Sequence, residues 1–300
     1  MVKIGLIYKQ LVNRDFRVLE SIERNITRFE YVPLEVIERA AKIPEPHLML
    51  SLSKLHRLGL VKRTSIGGVK AYRLTYLGLD MLALRTLVNR GVLEAIGGRI
   101  GVGKESDIYQ GLAPGGDRVI IKFLRIGRTS FRRTRVVRSW ADDPKYSWFQ
   151  QSKIAAEREY RALRELYSAK ALVPYPLAYN RHVVVAEYIN GVELYTKPKL
   201  RDPETVVNMV LDTMRKAYLE AGIVHGDLSE YNILVDVDSE KPYIIDWPQY
   251  VYREESSADY LLRRDVEYII RFFKKNYGVD IRVESAYRYV RGENGEFEQA

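Results

Sequence analysis

Three side chains, Asp227, Asn232 and Asp246, have the types and the spacing of a phosphoryl-transfer site. They lie in His225-Gly226-Asp227-Leu228-Ser229-Glu230-Tyr231-Asn232 and in Ile244-Ile245-Asp246. A carboxylate held in a tight loop can face an attacking hydroxyl or water. A carboxamide and a second carboxylate can hold a divalent ion on nucleotide phosphates. The base needs only position and its charged form. The two metal positions offer oxygen, which suits magnesium, a hard cation. Singly, Asp227 and Asp246 read as well as turn caps; the joint spacing with Asn232 separates the two readings. His225 is read as a packing residue that bonds to the backbone, not as a proton shuttle.

Elements on either side must present these groups. The apolar pair Ile223-Val224 leads into the loop, and Ile233-Leu234-Val235 leaves it as a strand. Lys241 to Ile245 returns as the hairpin partner and delivers Asp246 at a strand end. Farther upstream, Gly101-Val102-Gly103-Lys104-Glu105-Ser106 lies between two strands. Glycines allow backbone N–H groups to approach phosphate oxygens, and Lys104 and Ser106 add donors. No helix opens at Lys104, so this is not a Walker A loop. A glycine turn between strands is often only a turn; a strand lysine downstream gives this one its weight. Lys122 ends the apolar run Val119-Ile120-Ile121, placed to reach phosphate oxygens if a carboxylate orients it. The helix expected from Gln151 to Ala169 offers Glu157 and Glu159. Two residues apart, they cannot share a face; Glu159 is favoured and Glu157 is left as a surface charge.

The rest of this region reads as strands at 96–100, 107–111 and 118–123, a buried strand within 181–189, and helices at 205–221 and 259–277. Pro174 and Pro176 are expected to end a loop, and the polar tail from Gly292 to fray. The first 90 residues have a different pattern. Phe16, Leu19 and Ile22 recur at helical spacing. Pro33 opens a second helix with Leu34, Ile37 and Ala41 on one face. Pro44 and Pro46 break the chain, and Leu48 to Leu58 form a third helix. Two strands flank Gly67-Gly68, and a further helix runs from Tyr76 to about Asn89. Three helices and a basic two-stranded wing describe a winged helix-turn-helix. Lys54, Arg57, Lys62, Arg63, Lys70 and Arg73 are expected to line the third helix and wing for nucleic acid. A protein-docking wing with solvated charges is the other reading. Gly91 to Gly98 is read as a hinge.

Composition bounds these readings. A chain of 300 residues is long enough for two domains. The net charge of +9 points to a polyanionic partner, nucleic acid first. Cysteine is absent and the four histidines are scattered, which excludes disulfides and thiolate metal sites and argues against zinc. No apolar run approaches the roughly 20 residues of a membrane span. The first residues do not read as a signal peptide, so the expectation is a cytoplasmic protein without membrane partners.

Together these residues resemble the RIO family of atypical serine/threonine kinases, in the second subfamily, which carries an N-terminal winged helix. Besides the loops above, the phrases that carry the resemblance are Asp107-Ile108-Tyr109, Arg128-Thr129-Ser130-Phe131-Arg132, Glu159-Tyr160, Tyr179-Asn180-Arg181-His182, Glu187-Tyr188-Ile189-Asn190-Gly191 and Asp246-Trp247-Pro248-Gln249. The resemblance spans nearly the whole chain. It implies an α+β protein with a winged-helix domain at 1–91 and a two-lobed protein-kinase-like domain, its N-lobe at 92–190 and C-lobe at 191–300. It implies ATP with Mg2+ (Mn2+ as an alternative ion). Asp227 becomes the catalytic aspartate, Asn232 and Asp246 the metal ligands, Lys122 the phosphate-pairing lysine and Glu159 its helix partner. Gly101, Gly103, Lys104 and Ser106 cover the phosphates, Glu187 and Ile189 contact adenine, and the basic stretch from Arg128 to about Tyr146 is the family's flexible loop. The family acts in maturation of the small ribosomal subunit, which implies its precursor, rRNA and ribosomal proteins as partners. Serine autophosphorylation and a phosphoaspartate at Asp246 are also implied.

Departures from ordinary protein kinases agree. Gly226 stands where His-Arg-Asp has arginine, Trp247-Pro248 where Phe-Gly succeeds the metal aspartate, and no Ala-Pro-Glu occurs after Asp246. An activation loop and peptide platform are therefore not expected. Within the subfamily, Trp247 replaces an expected phenylalanine and keeps an aromatic plug. Two rival readings remain at this level. One is a small-molecule phosphotransferase of aminoglycoside or choline kinase type, which shares the His-Gly-Asp loop. The other is a catalytically idle winged-helix assembly factor.

Overall fold

The computed structural model describes residues 4–103, 105–127 and 148–295. Lys104, the basic stretch from Arg128 to Tyr146 and the last five residues of the tail lie outside them. The chain forms two compact units. The first holds residues up to Arg128 together with Trp148–Lys153 and Tyr179–Val183; the second holds Ile154–Ala178 and Val184 onward.

The first unit begins with α1 (Ile4–Gln10), α2 (Asn13–Glu23), β1 (Val32–Pro33), α3 (Leu34–Ala41) and α4 (Glu45–Arg57). The wing is β2 (Val61–Ile66) and β3 (Val69–Leu74), paired antiparallel from Val61↔Leu74 to Ile66↔Val69. Gly67 and Gly68 turn it with φ of +57° and +82°, the positive values a tight hairpin demands. β1 adds to the other side of β3. Leu19 and Ile22 of α2, Ile37 of α3, and Leu48, Leu52 and Leu55 of α4 are all fully buried. Each such side chain contributes about 1.5–3 kcal/mol. α5 (Tyr76–Asn89) closes this part, its first turn capped by Thr75, whose Oγ1 accepts from the Gly78 N–H at 3.1 Å. A Cβ on Gly78 would lie 2.4 Å from the Leu60 carbonyl oxygen, so only glycine lets α5 meet that turn.

Pro46 does not break the chain as expected. It lies in the first turn of α4, where its missing N–H costs nothing, and the helix starts at Glu45. The expected hinge is also shorter. β4 (Ala95–Val102) has begun by Gly97 and Gly98, and its register against β5 (Ser106–Leu112) slips between Ile96 and Arg99. β6 (Arg118–Leu124) completes an antiparallel β4-β5-β6 meander, turned at Gly115-Gly116.

α6 (Trp148–Ser168) starts in the first unit and continues in the second. β7 (Pro176–Asn180) and β8 (Val183–Glu187) come next; the loop before β7 ends at Pro176, as expected. The second unit continues with β9 (Gly191–Glu193), α7 (Pro203–Leu219), β10 (Ile223–Val224), β11 (Ile233–Asp236), β12 (Pro242–Ile244), β13 (Val251–Tyr252), α8 (Ala258–Tyr277) and α9 (Val283–Val290). β11 lies between β12 and β9 and is antiparallel to both; β10 pairs with β13. The core packs Val207, Val210 and Leu211 of α7 against Val266, Ile269 and Phe273 of α8 and Ala286 and Val290 of α9. Among the described residues, no helix is long and apolar enough to cross a membrane.

Candidate active site

In the second unit the loop from His225 to Asn232 is fixed largely through its backbone. The His225 Nε2–H faces the Ile245 carbonyl at 3.0 Å, and Nδ1 accepts from the Asp227 N–H at 3.3 Å. Those partners assign a neutral ring protonated at Nε2. The ring also packs on Trp247, with centroids 4.6 Å apart. His225 is a spacer, as expected from the sequence. Gly226 takes φ of +77°, and its N–H donates to Asp265 Oδ2 at 2.8 Å. Arg264 bonds the Gly226 carbonyl and reaches Asp265 Oδ1 at 3.0 Å. Burial raises the Asp265 pKa, against the opposing pull of Arg264. Asp265 and Arg264 sit on α8, far along the chain, and nothing in their local sequence marks them as loop anchors.

The result is an exposed Asp227 between the buried residues Gly226 and Leu228. Asn232 donates its Nδ2–H to the Asp227 carbonyl at 2.8 Å. That bond fixes the amide orientation and makes the carboxamide oxygen the group for a metal. The Ile245 N–H donates to the Asn232 carbonyl at 2.9 Å, and Asp246 comes directly after it, so the two expected metal ligands stand on neighbouring strand ends. Asp246 has φ of +67°. Behind it the Trp247 indole is fully buried, its N–H on the Ile244 carbonyl at 3.1 Å. Among the described residues no cluster of three or more His, Cys, Asp or Glu forms a protein-only metal cage. One carboxamide and one carboxylate fit magnesium, which keeps its remaining positions for phosphate and water.

Glu159 lies on the α6 portion of this unit and is buried; Glu157 is exposed, as expected for a surface charge. The residue beside it, Arg158, was missed by sequence reasoning. Its Nε–H donates to the Pro248 carbonyl at 3.0 Å, a second N–H bonds the Tyr250 carbonyl, and the guanidinium covers the Tyr250 ring at 4.1 Å. Arg158 thereby holds the segment just beyond Asp246. Glu187 ends β8 with its Oε2 accepting from the Tyr175 N–H at 3.1 Å, so its carboxylate is committed to the backbone. Ile189 is buried two residues on. Tyr231, next to Asn232, is exposed and stacks on Tyr195 at 4.9 Å.

The first unit carries the remaining site residues. Gly101 is in β4 and Ser106 opens β5, and the Gly103 N–H donates to the Ser106 carbonyl at 2.8 Å. A Cβ at Gly103 would come 2.9 Å from Ser106 Oγ, so a side chain there would require the Ser106 hydroxyl to turn away. Lys122 is buried in β6, opposite Ile108. Three residues later Arg125, also buried, bonds both oxygens of Asp80 at 2.7 and 2.8 Å and Asp107 at 3.2 Å. His182 Nε2 lies 2.7 Å from Asp80 Oδ1 and 2.8 Å from Arg125 Nη1. One nitrogen cannot donate to the first and accept from the second. The Asp80 carboxylate can only accept, so the Nε2–H donates to it; burial lowers the His182 pKa. Burial also acts to raise the Asp80 pKa, but Arg125 and His182 outweigh it and hold the carboxyl below the ordinary range.

The wing is less uniformly basic than its composition implied. Lys54 turns inward to Asp15 Oδ2 at 2.7 Å, and Arg73 pairs with Glu30 at 2.8 Å over the Tyr31 ring. Asp15 is buried and also accepts from Ser51, so Lys54 neutralises a core carboxylate and is not available to line a nucleic-acid surface. Arg57, Lys62, Arg63 and Lys70 are exposed.

Similarity to known proteins covers both the winged-helix region and the region that follows it. Residues 107–286 match the RIO domain and residues 8–90 match the Rio2 N-terminal domain. The RIO-type serine/threonine-protein kinase Rio2 of Methanocaldococcus jannaschii is 38% identical over 275 residues, covering 87% of this chain and 98% of that protein. The serine/threonine-protein kinase RIO2 of Saccharomyces cerevisiae is 34% identical over 288 residues, covering 93% of this chain and 67% of that protein. The crystal structure of the Rio2 kinase from Chaetomium thermophilum, as an ADP/Mg2+-phosphoaspartate complex, superposes with a TM-score of 0.80 at 30% identity, covering 98% of this chain and 90% of that one.

Proposed function

The chain belongs to the RIO family of serine/threonine kinases, in its Rio2 branch, and from that premise we propose that it is an ATP- and Mg2+-dependent phosphotransferase that acts in maturation of the small ribosomal subunit. The observation that carries the reading is the second-unit loop. Asp227 is exposed on a backbone fixed by His225, Asp265 and Arg264, beside Asn232 and Asp246.

In this reading Asp227 accepts the proton of a serine hydroxyl or of water. Asn232 and Asp246 would hold magnesium, which neutralises charge on the phosphates. In the first unit, the Gly101–Ser106 hairpin and Lys122 bind phosphate oxygens. Glu187 and Ile189 face adenine through the backbone, since the Glu187 carboxylate is already bonded. Two acceptors of the phosphoryl group are proposed: a serine of the chain itself, and the Asp246 carboxylate. The relative solved as a phosphoaspartate complex supports the second. Partners are the subunit precursor, with its rRNA and ribosomal proteins, met in the cytoplasm. The net charge of +9 and the exposed Arg57, Lys62, Arg63 and Lys70 support an RNA-rich surface as that partner.

The test is ATP turnover by the full chain with and without small-subunit particles. Turnover that rises with particles and falls about a thousandfold in Asp227→Ala is expected. Turnover that survives Asp227→Ala would show that another group is the base. Phosphorylation of small aminoalcohols with none on protein would restore the small-molecule rival.

A further inference from the structure

Arg125 is the point where three pieces of the first unit meet. Its backbone N–H donates to the Glu105 carbonyl at 2.6 Å, which ties the end of the glycine hairpin to the exit of β6. Its side chain bonds Asp107, two residues farther along β5, and forms a fork on Asp80 of α5. The preceding residue, Leu124, donates its N–H to the His182 carbonyl at 2.8 Å, and the His182 ring returns to Asp80. Lys122 lies just upstream on the same strand. Asp80, Asp107, Arg125 and His182 are all buried, so water does not compete for these bonds.

The fork decides the geometry. A guanidinium bound to both oxygens of one carboxylate is fixed in plane and direction, whereas a single bond leaves it free to rotate. Asp107 offers Arg125 one contact, and its other oxygen is 3.5 Å from Arg99. Without Asp80, Asp107 would be shared between two arginines and would fix neither. The alignment of β5, β6 and the hairpin thus depends on a side chain contributed by the helix that closes the winged-helix region.

We infer that Asp80 and His182 are positioning residues for phosphate binding: through Arg125 they hold the glycine hairpin and the Lys122 strand in one alignment, which makes α5 part of the nucleotide site. This rests on the proposed role of Lys122 and the hairpin in binding nucleotide. It assigns the winged-helix region a duty inside the enzyme in addition to any surface it offers outside.

The test is calorimetric titration of the full chain with ATP plus Mg2+ and, separately, with adenosine, which shares the base and ribose but has no phosphates. Lys122→Ala sets the size of a phosphate-specific loss. Asp80→Asn, which preserves shape and removes charge, is expected to weaken ATP by about tenfold and to leave adenosine within about twofold of wild type. His182→Gln is expected to show the same split with a smaller loss. Unchanged ATP affinity in both variants would overturn the inference, as would equal losses for ATP and adenosine, the mark of general unfolding. Should Asp80→Asn not fold, Asp80→Glu and His182→Gln carry the same titrations with the same two outcomes. A wild-type chain that binds adenosine and ATP equally would sink the nucleotide reading itself, and this inference with it.

Discussion

The two units each contain a group of charged residues, and the groups are built on opposite rules. Around Arg125 the side chains of Asp80, Asp107 and His182 are buried and bonded within the group: Asp80 and Asp107 by the guanidinium, His182 by Asp80. Around Asp227 the loop is held through its backbone, and the residue itself faces solvent. Charges that answer each other hold a shape. A carboxylate positioned through its backbone can turn its oxygens toward a reactant. Burial therefore separates scaffold from chemistry where residue type alone does not, since both groups contain Asp and His.

The sharpest way to break this contrast is to remove the centre of the buried group. Arg125→Ala leaves two buried carboxylates without that counter-charge and is expected to lower the stability of the first unit by about 3–5 kcal/mol. Chemical denaturation combined with hydrogen exchange at α5 amides measures it. A loss below about 1 kcal/mol would mean that water reaches Asp80 and Asp107 after all.

Acid should act on the two units with opposite sign. The lowered pKa of His182 means that the unfolded chain binds its proton first, so its stabilisation is present above about pH 6.5 and is lost as pH falls below that value. Asp80, also lowered, adds a second loss below about pH 4. The charged groups facing His182 are Asp80, Arg125 and Lys153. Asp265 of the second unit is raised by burial, so its contribution is present at low pH and lost as pH rises through its shifted value. Hydrogen exchange from pH 5 to 8 should show α5 loosening toward acid while α8 does not. His182→Gln should remove the α5 response near pH 6, and a response that survives would assign it to another group.

The smallest expected effect falls on the exposed carboxylate. Asp227→Ala, expected to lower turnover about a thousandfold, should leave the free energy of unfolding within about 0.5 kcal/mol of wild type. A larger destabilisation would make Asp227 part of the scaffold and erase the contrast.

Much of the second group was legible in the sequence because its members are close along the chain. Asp227, Asn232 and Asp246 fall within 20 residues, and the short apolar runs Ile233-Leu234-Val235 and Tyr243-Ile244-Ile245 between them mark two strands. The wing, α5 and the long helix α6 could be read from turn glycines and 3.6-residue periodicity. The first group was not legible. Asp80 and Arg125 are 45 residues apart and Asp80 and His182 are 102 apart, and folding alone brings them together. Arg158, Arg264 and Asp265 were hidden for the same reason. Lys54 was misread because its partner Asp15, 39 residues away, is a buried carboxylate that looks like a surface one. Short elements were lost for a different reason: α1 and β9 are too brief for periodicity to register. α9 has Val283, Ala286, Tyr287 and Val290 at helical spacing and could have been found.

Asp246 stands in the left-handed region, at φ of +67°, where most side chains cost about 1–2 kcal/mol and Asp and Asn are tolerated. Other non-glycine residues share that region among those described, but they are lysines, an arginine and a glutamate. The position therefore limits which replacements can be interpreted. Alanine there removes the charge and also strains the peptide that leads into Trp247, so its effects on metal, phosphate and fold arrive mixed. Asparagine keeps the backbone comfortable, keeps one oxygen for a cation, and cannot carry a phosphoryl group as an acyl phosphate. At this one residue the backbone angle selects Asp246→Asn as the variant that isolates chemistry from architecture.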